Sequence, residues 1–456
     1  MPRLSAARKV ALSVLSERRR RDGRVRDLLR TSDAMAALDA RDRALASRLA
    51  LGATAAEGAL DQVLRAYVKR PSSVEPRVRD ALRLATFEAC YLDTPASAVV
   101  SQGVELARFA SPRAAGLANA VLRKVVSEVR PRLDQARLRV EEGGCDAEDL
   151  ALVSGLPRWL VERIGVARGA DATRELALSQ LEAAPVYVAP NRAKHDESET
   201  LSLLQEAGLC PRPAGLPGAF ELGTAAGLAT SGLVTNVDVV VSDLAAQMVA
   251  HRAAPMPGRR VLEIGQGRGT KSILLENEAL LTGGVASIVA VDSELFKVHI
   301  ASRRMETAGL ADNVSCYALD ARQLASHDVP DAFKRPFDLV FIDAPCSGTG
   351  TMRRHPEIAW SLDEAALAGE GALPLLQRQI LDAAASRVVP GGRLVYATCS
   401  VLPEENEQVI EAFLASDQGY SFELVPYTEE VPYLQTMPRR GGCDGHFCAV
   451  LQRRES

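Results

Sequence analysis

Residues 337–360 read FDLVFIDAPCSGTGTMRRHPEIAW, and residues 394–400 read LVYATCS. Each stretch begins as a run of apolar and β-branched residues, the pattern of a parallel strand buried on both faces. Each stops on a polar tip, Asp343-Ala344-Pro345-Cys346 in the first and Thr398-Cys399-Ser400 in the second. Open α/β sheets bind ligands in the crevice beyond the carboxyl ends of their strands. If the two strands are neighbours, a carboxylate and two thiols meet in one pocket.

Outward from these stretches, a strand–loop–helix rhythm runs from about residue 241. Arg260–Ile264 reads as a strand, and its loop Gly265-Gln266-Gly267-Arg268-Gly269 leads into a helix near Thr270. Ser287–Val291 is a second strand, ending at Asp292, and Asn313–Leu319 a third, ending at Asp320. Residues 337–342 and 393–398 are the fourth and fifth, the latter fed by a turn at Pro390-Gly391-Gly392. Phe422–Val425 and Phe447–Gln452 are expected to close the sheet as a hairpin. Alternating βα units predict a doubly wound parallel sheet.

Upstream, residues 1–130 read as helices, with apolar stripes at Leu4, Ala7, Ala11, Val14 and Leu15, and again at Leu60, Val63, Leu64 and Tyr67. A third stripe, Val78 to Leu92, follows Pro76, a residue suited to a helix start. Pro131 and Glu141-Glu142-Gly143-Gly144 suggest a boundary near 131–147. The expected organisation is an all-α domain over 1–140, a small α+β piece over 148–240, and an α/β domain over 241–456.

A chain of 456 residues calls for two or three domains. Its start has no apolar core before a cleavage site, and no apolar run approaches 18 residues, so a cytoplasmic location is expected. The eight cysteines (90, 145, 210, 316, 346, 399, 443 and 448) form no CxxC pair, which suits a reducing compartment better than disulfides or a zinc site. No metal is expected. Residues 1–140 carry 27 Lys and Arg against 15 Asp and Glu, a surplus of +12, whereas the remainder carries −16. A basic module joined to an acidic one suggests that the first meets a polyanion, with a solvated arginine-rich surface as the plainer alternative.

A glycine-rich strand-to-helix loop followed by an acid at the next strand end binds an adenosine-containing cofactor. Gly265, Gly267 and Gly269 allow close backbone approach, and Asp292 is placed to take both ribose hydroxyls. Such a loop also occurs with NAD. What separates the readings lies downstream: cysteine and carboxylate tips fit methyl transfer from S-adenosylmethionine, and nothing obvious serves hydride transfer. Asp320 is a candidate adenine contact or a helix N-cap. Cys90, Cys210 and Cys316 read as packing. Cys346 and Cys399 instead precede small, turn-forming residues that present a thiol. Methylation of cytosine at carbon 5 needs such a set, because that carbon is a poor nucleophile until a thiolate adds at carbon 6.

DAPCSGTGTMRRHPEIAW and ATCSVLPEENE resemble the paired signatures of the RsmB/Sun family of RNA 5-methylcytosine methyltransferases, and GGCDGHFCAVLQR (441–453) resembles its closing signature. RDRALASRLALGA (41–53), ALRLATFEACYLDTPASAVVSQGVELAR (81–108) and GLANAVLRK (116–124) resemble the NusB-like RNA-binding domain. The resemblance implies a Rossmann-like class I methyltransferase domain behind a NusB-like one, acting on small-subunit ribosomal RNA with S-adenosylmethionine. It implies that Cys399 attacks carbon 6, Cys346 helps release the product, and Asp343 protonates ring nitrogen 3. The family's first loop usually reads Cys-Ala-Ala-Pro-Gly-Gly-Lys-Thr; here Gly265–Ser272 keeps one glycine and Lys271 as cofactor contacts. Ala189 stands where the family often has arginine, and Ser242 where it has glutamine. Two rivals are an RNA-binding adaptor whose methyltransferase domain has lost its cofactor, and a DNA cytosine methyltransferase. Arg353, Arg354 and His355 are candidate contacts to the substrate backbone, with a solvated loop as the alternative. The substrate base must be unstacked, so a single-stranded or splayed loop cytosine is expected. No oligomer is implied.

Overall fold

The computed structural model describes residues 4–21 and 23–455. It divides into two compact units. One takes the chain to Ala183 together with Thr351–Leu362; the other takes Ala184–Gly350 and the chain from Asp363 onward. No described helix is long and apolar enough to cross a membrane.

The first unit is helical. Helix Pro76–Tyr91 lies at its centre, with Pro76 in the first turn and Val78, Leu82, Ala85 and Ala89 all buried. Helices Ala6–Arg21 and Ala40–Ala55 bury their apolar stripes in the same core. The densest basic stretch is partly spent inside this unit. Arg18 pairs with Glu57 at 2.6 Å, Arg19 with the buried Asp80, and Arg83 with Asp61 and Glu57 at 2.6 and 2.8 Å. Burial raises the Asp80 carboxyl above its ordinary value despite these arginines.

Pro131 does not interrupt the chain: helix Ala115–Lys124 runs through a π-turn at Val125–Val129 into helix Arg130–Glu142, and the wider turn sits where the proline has no N–H to donate. Gly143, with φ of 83°, then ends that helix in the left-handed region. Helices Ala147–Ser154, Arg158–Arg168 and Ala170–Ser179 also belong to this unit. Val153 and Leu181 enter its core, Arg139 pairs with Asp149, and the Tyr91 hydroxyl donates to the Leu152 carbonyl at 2.8 Å. The stretch 148–240 is therefore divided: its helices up to Ser179 join the first unit, and its strands with helix Glu197–Glu206 join the second.

The second unit holds β1 (Val186–Pro190), β2 (Pro211–Pro213), β3 (Phe220–Leu222) and β4 (Val239–Val241) in an antiparallel sheet ordered β2-β3-β1-β4. It also holds β5 (Arg260–Ile264), β6 (Ser287–Asp292), β7 (Val314–Ala318), β8 (Phe337–Asp343), β9 (Val388–Thr398), β10 (Phe422–Val425), β11 (Leu434–Gln435) and β12 (Phe447–Arg453). The larger sheet runs β10-β12-β9-β8-β5-β6-β7, with β11 on β12. Strands β9, β8, β5, β6 and β7 are parallel, and β12 and β10 antiparallel.

Successive residues of a strand point to opposite faces, and both faces here are covered. Leu262, Val340, Ile342, Leu394 and Tyr396 enter one core, while Val261, Leu339, Phe341, Val395 and Ala397 enter the other. Two-sided burial explains why these strands read as unbroken apolar runs. Strand β9 begins at Val388, earlier than expected, because Pro390–Gly392 forms a bulge within it: Phe337 pairs with Val388, but Leu339 already pairs with Arg393. The order reverses at β5, with β6 on one side and β8 on the other, making the crevice between the ends of β5 and β8 the ligand-binding position of such sheets.

Candidate active site

Strands β8 and β9 are parallel neighbours, with Asp343 opposite Ala397. The tips beyond them therefore emerge side by side, and Cys346 Sγ lies 3.4 Å from Cys399 Sγ. The contact between the two sulfurs is the largest influence on both groups. It lowers the Cys399 thiol below its ordinary value, against burial and the charges of Asp343 and Glu405, with the Lys271 ammonium acting in the same direction. The same contact, followed by burial and the charge on Cys399, raises Cys346 well above its ordinary value. The contact thus shifts Cys399 toward the thiolate and Cys346 toward the thiol.

Asp343 ends β8 and accepts from Lys271 Nζ at 2.6 Å. Burial works against the Lys271 charge, but the charge and hydrogen bond of Asp343, with smaller help from Cys399, hold its pKa above the usual lysine value. Lys271 sits in the first turn of helix Thr270–Leu281, directly after the glycine loop. One short helix start thus delivers a cation to Asp343 at the end of β8.

The thiol-bearing loops are bound together below their tips. Glu405, fully buried, accepts from Ser347 N at 2.7 Å, Ser347 Oγ at 2.5 Å and Gln377 Nε2 at 3.1 Å. Thr349 Oγ1 and Ser400 Oγ are 3.0 Å apart, and Asn406 Nδ2 donates to the Ser400 carbonyl at 2.9 Å. Sequence reasoning quoted Glu405 within a signature without giving it a role. Its only sequence signal is its place in the acidic run Glu404-Glu405-Asn406-Glu407 shortly after the second tip.

The glycine loop is anchored to β6, where Gly265 N and Gln266 N both donate to the Val291 carbonyl. Gly265, Gly267 and Gly269 all have positive φ, at 83°, 59° and 78°. A Cβ on Gly265 would lie 2.2 Å from the Asp343 carbonyl oxygen, so only glycine lets the loop pass the β8 tip. A Cβ on Gly267 would meet nothing within 4 Å, so that backbone borders open space. Asp292 Oδ2 accepts from Gly267 N at 3.0 Å, Oδ1 accepts from Glu294 N at 2.9 Å, and Lys297 lies 3.5 Å away. The structure brings Asp292 to the loop.

Asp320 caps the short turn Ala321–Ala325 by accepting from Arg322 N at 3.0 Å, and it also pairs with the Arg322 guanidinium at 2.6 Å. The N-cap alternative is thus occupied. Beneath the loop lies a buried polar group that sequence reasoning missed. Glu263 on β5 accepts from Ser272 Oγ at 2.6 Å, and burial raises its carboxyl to about 7. Gln266 Nε2 donates to Ser272 Oγ and Cys316 Sγ, at 3.2 and 3.0 Å. Cys316, read as simple packing, is an acceptor here.

Asn191 is buried and spends its amide on the carbonyls of Val237 and Ala308, at 2.8 and 2.9 Å. Arg353 is also buried and lies with His355 in the helical unit, where burial and then Arg24, Arg26 and Arg354 lower His355 to about 4. Arg353 is packed rather than solvated, whereas Arg354 and His355 are partly exposed.

Residues 250–452 match the family described as 16S rRNA methyltransferase RsmB/F, and residues 5–127 match the NusB family. A protein named ribosomal RNA small subunit methyltransferase B from Escherichia coli is 31% identical over 422 residues, covering 91% of each chain. Its namesake from Pseudomonas putida is 32% identical over 438 residues, again covering 91% of each. The crystal structure of PH0851 shares the fold across 99% of both chains, with a TM-score of 0.77 at 22% identity.

Proposed function

The chain belongs to the RsmB/F family of 16S rRNA methyltransferases, and from that premise we propose a specific reaction. The enzyme methylates carbon 5 of a cytosine in small-subunit ribosomal RNA through a covalent bond between Cys399 and the base. The observation that carries this reading is the pair of sulfurs 3.4 Å apart, with Cys399 lowered and Cys346 raised.

S-adenosylmethionine, when bound, supplies an electrophilic methyl group. The residues that fit it are the positive-φ backbone of Gly265, Gly267 and Gly269, the Asp292 carboxylate for ribose hydroxyls, and Lys271 and Asp343 at the reacting end. Asp320, beside Arg322 at the next strand end, is assigned to the adenine side.

The Cys399 thiolate adds to carbon 6 and turns carbon 5 into an enamine-like nucleophile. Asp343 in its protonated form gives its proton to ring nitrogen 3, where negative charge would otherwise develop during the attack, and Lys271 then holds the resulting carboxylate in place. Once the Cys399 sulfur is bonded to carbon it carries no charge and is a poorer acceptor, so its hold on the Cys346 proton is weakened. Cys346 then releases its thiol proton to solvent and, as a thiolate, takes the carbon-5 proton while the carbon–sulfur bond breaks and its electron pair returns to Cys399. The helical unit, with its sequence surplus of +12 over residues 1–140, supplies contacts to phosphates of a splayed RNA loop.

Bisulfite sequencing of small-subunit rRNA from cells lacking the gene tests the reading. One cytosine should lose its protection and regain it when the gene is restored. Unchanged protection at every cytosine would contradict the proposal. Absence of S-adenosylmethionine binding by calorimetry would favour an RNA-binding adaptor instead.

A further inference from the structure

One polar side chain interrupts an apolar helix face beside the catalytic tips. Helix Leu373–Ala385 turns Gln377, Ile380, Leu381 and Ala384 inward, the spacing of a single helical stripe. Ile380, Leu381 and Ala384 join the core that also receives Val340 and Ile342 of β8 and Leu394 of β9. Gln377 is fully buried on the same stripe. A buried amide costs free energy unless it is hydrogen-bonded, so its partners account for its place there.

Gln377 Nε2 donates to the Pro345 carbonyl at 2.9 Å and to Glu405 Oε1 at 3.1 Å. Both partners are acceptors, so only the NH2 end of the amide can face them. The same Glu405 Oε1 accepts from Ser347 N at 2.7 Å, and its Oε2 accepts from Ser347 Oγ. The Pro345 carbonyl belongs to the peptide before Cys346 and the Ser347 N–H to the peptide after it. Both peptides of the thiol-bearing residue are therefore held, and both through the Gln377–Glu405 pair.

The pair has its own anchor. The hydroxyl of Tyr396, fully buried on β9, donates to the Glu405 carbonyl at 2.6 Å. Strand β9 leads directly to Cys399, so the backbone of one thiol is tied to the strand that carries the other. With its peptides fixed, Cys346 keeps its side-chain rotamer as the remaining freedom, and its sulfur rests 3.4 Å from Cys399 Sγ.

We propose that Gln377 is a positioning residue for product release: with Glu405 it holds both peptides of Cys346 and so sets that thiol against Cys399. The inference rests on the proposed reaction for its kinetic readout and on the sulfur contact for its chemical one. In that reaction Cys399 carries the attack. Release passes the carbon-5 proton to the Cys346 thiolate while the carbon–sulfur bond breaks and its electron pair returns to Cys399. A displaced Cys346 slows the second step more than the first.

Gln377→Met keeps the length and the burial of the side chain but removes both donors. Gln377→Asn keeps the amide on a stem one methylene shorter and should behave alike. Calorimetry with S-adenosylmethionine checks that each variant is folded, with affinity within about twofold of the parent, the scatter of independent sites. At alkaline pH, where Cys399 is an anion in every variant, the first methyl transfer should stay close to the parental rate. Later turnovers should slow by about tenfold to a hundredfold, the scale of a misplacement of ~1 Å, with a protein–RNA adduct accumulating on a denaturing gel. Without RNA, iodoacetamide labelling of Cys399 should titrate at higher pH than in the parent, because the sulfur contact that most lowers its pKa is loosened. In a Cys346→Ser background, Gln377→Met should change neither adduct formation nor labelling, since that contact is already gone. An unmoved labelling profile, equal slowing of attack and release, or a further loss in the Cys346→Ser background would each overturn the proposal. Failure of the proposed reaction would appear separately, as absence of any adduct with Cys346→Ser, and would leave the labelling result in force.

Discussion

Removing the charge of Lys271 should move the pH dependence of catalysis in a defined direction. Lys271→Met keeps the apolar stem and deletes the ammonium that lies 2.6 Å from Asp343 Oδ2. The two side chains are 14% and 28% exposed, so the pair is largely shielded from water. Loss of a charge-assisted hydrogen bond in such a setting costs about 1.5–3 kcal/mol. Expressed at the transition state, that slows methyl transfer by about tenfold to a hundredfold, since each ~1.4 kcal/mol is a factor of ten. The ammonium also favours the Cys399 thiolate, so its loss raises the Cys399 pKa. The rate depends on the deprotonated form; the acid limb of the profile should therefore move to higher pH, and alkaline buffer should restore part of the loss. Single-turnover rates across pH at saturating cofactor measure the limb. Iodoacetamide labelling of Cys399, followed by peptide mass spectrometry, reads the same titration without RNA. Lys271→Arg retains the charge and should return the limb most of the way. A limb that stays in place, or moves to lower pH, would refute the reasoning.

Asp292→Asn leaves one oxygen for the two backbone donors Gly267 and Glu294 and removes the charge offered to ribose. The Michaelis constant for S-adenosylmethionine should rise by about one to two orders of magnitude, the value of one such bond, with the RNA constant unchanged; a shift confined to RNA would remove Asp292 from the cofactor site. Gly265→Ala places a Cβ 2.2 Å from the Asp343 carbonyl oxygen at a φ of 83°. Strain of about 1–3 kcal/mol, before any clash, should lower the melting temperature and weaken cofactor binding together, measured by calorimetry. Glu405→Gln turns a buried acceptor of three hydrogen bonds partly into a donor. It should destabilise the α/β unit by about 1–3 kcal/mol in denaturant titration and slow methylation, with little change in cofactor affinity.

The strands of the larger sheet were legible because both faces are buried, leaving apolar runs bounded by loops. The three-residue strands β2 and β4 carry too few residues for a pattern. The early start of β9 was hidden by Pro390-Gly391-Gly392, which sequence reads as a turn but which forms a bulge inside the strand. The thiols were legible as strand tips, and Asp343 with them. Its partner Lys271 lies 72 residues earlier, so their meeting depends on β5 and β8 being neighbours. The arginine run showed its charge but not its partners: Arg18 and Arg19 face Glu57 and Asp80, which are spread along two other helices. Spacing also gave no sign that residues 351–362 pack with the helices, because that depends on the missing side chain of Gly58, which leaves room for the Trp360 ring.

The division of labour between the sulfurs is tested most directly by trapping protein on RNA. Cys399→Ser and Cys346→Ser are each incubated with small-subunit rRNA and S-adenosylmethionine, then run on a denaturing gel. Cys399→Ser should form no adduct, because serine offers no comparable anion near neutral pH. Cys346→Ser should attack and methylate, then stall, leaving a band of protein crosslinked to RNA that carries the methyl label. A crosslink that accumulated with Cys399→Ser and vanished with Cys346→Ser would contradict the account and exchange the two roles.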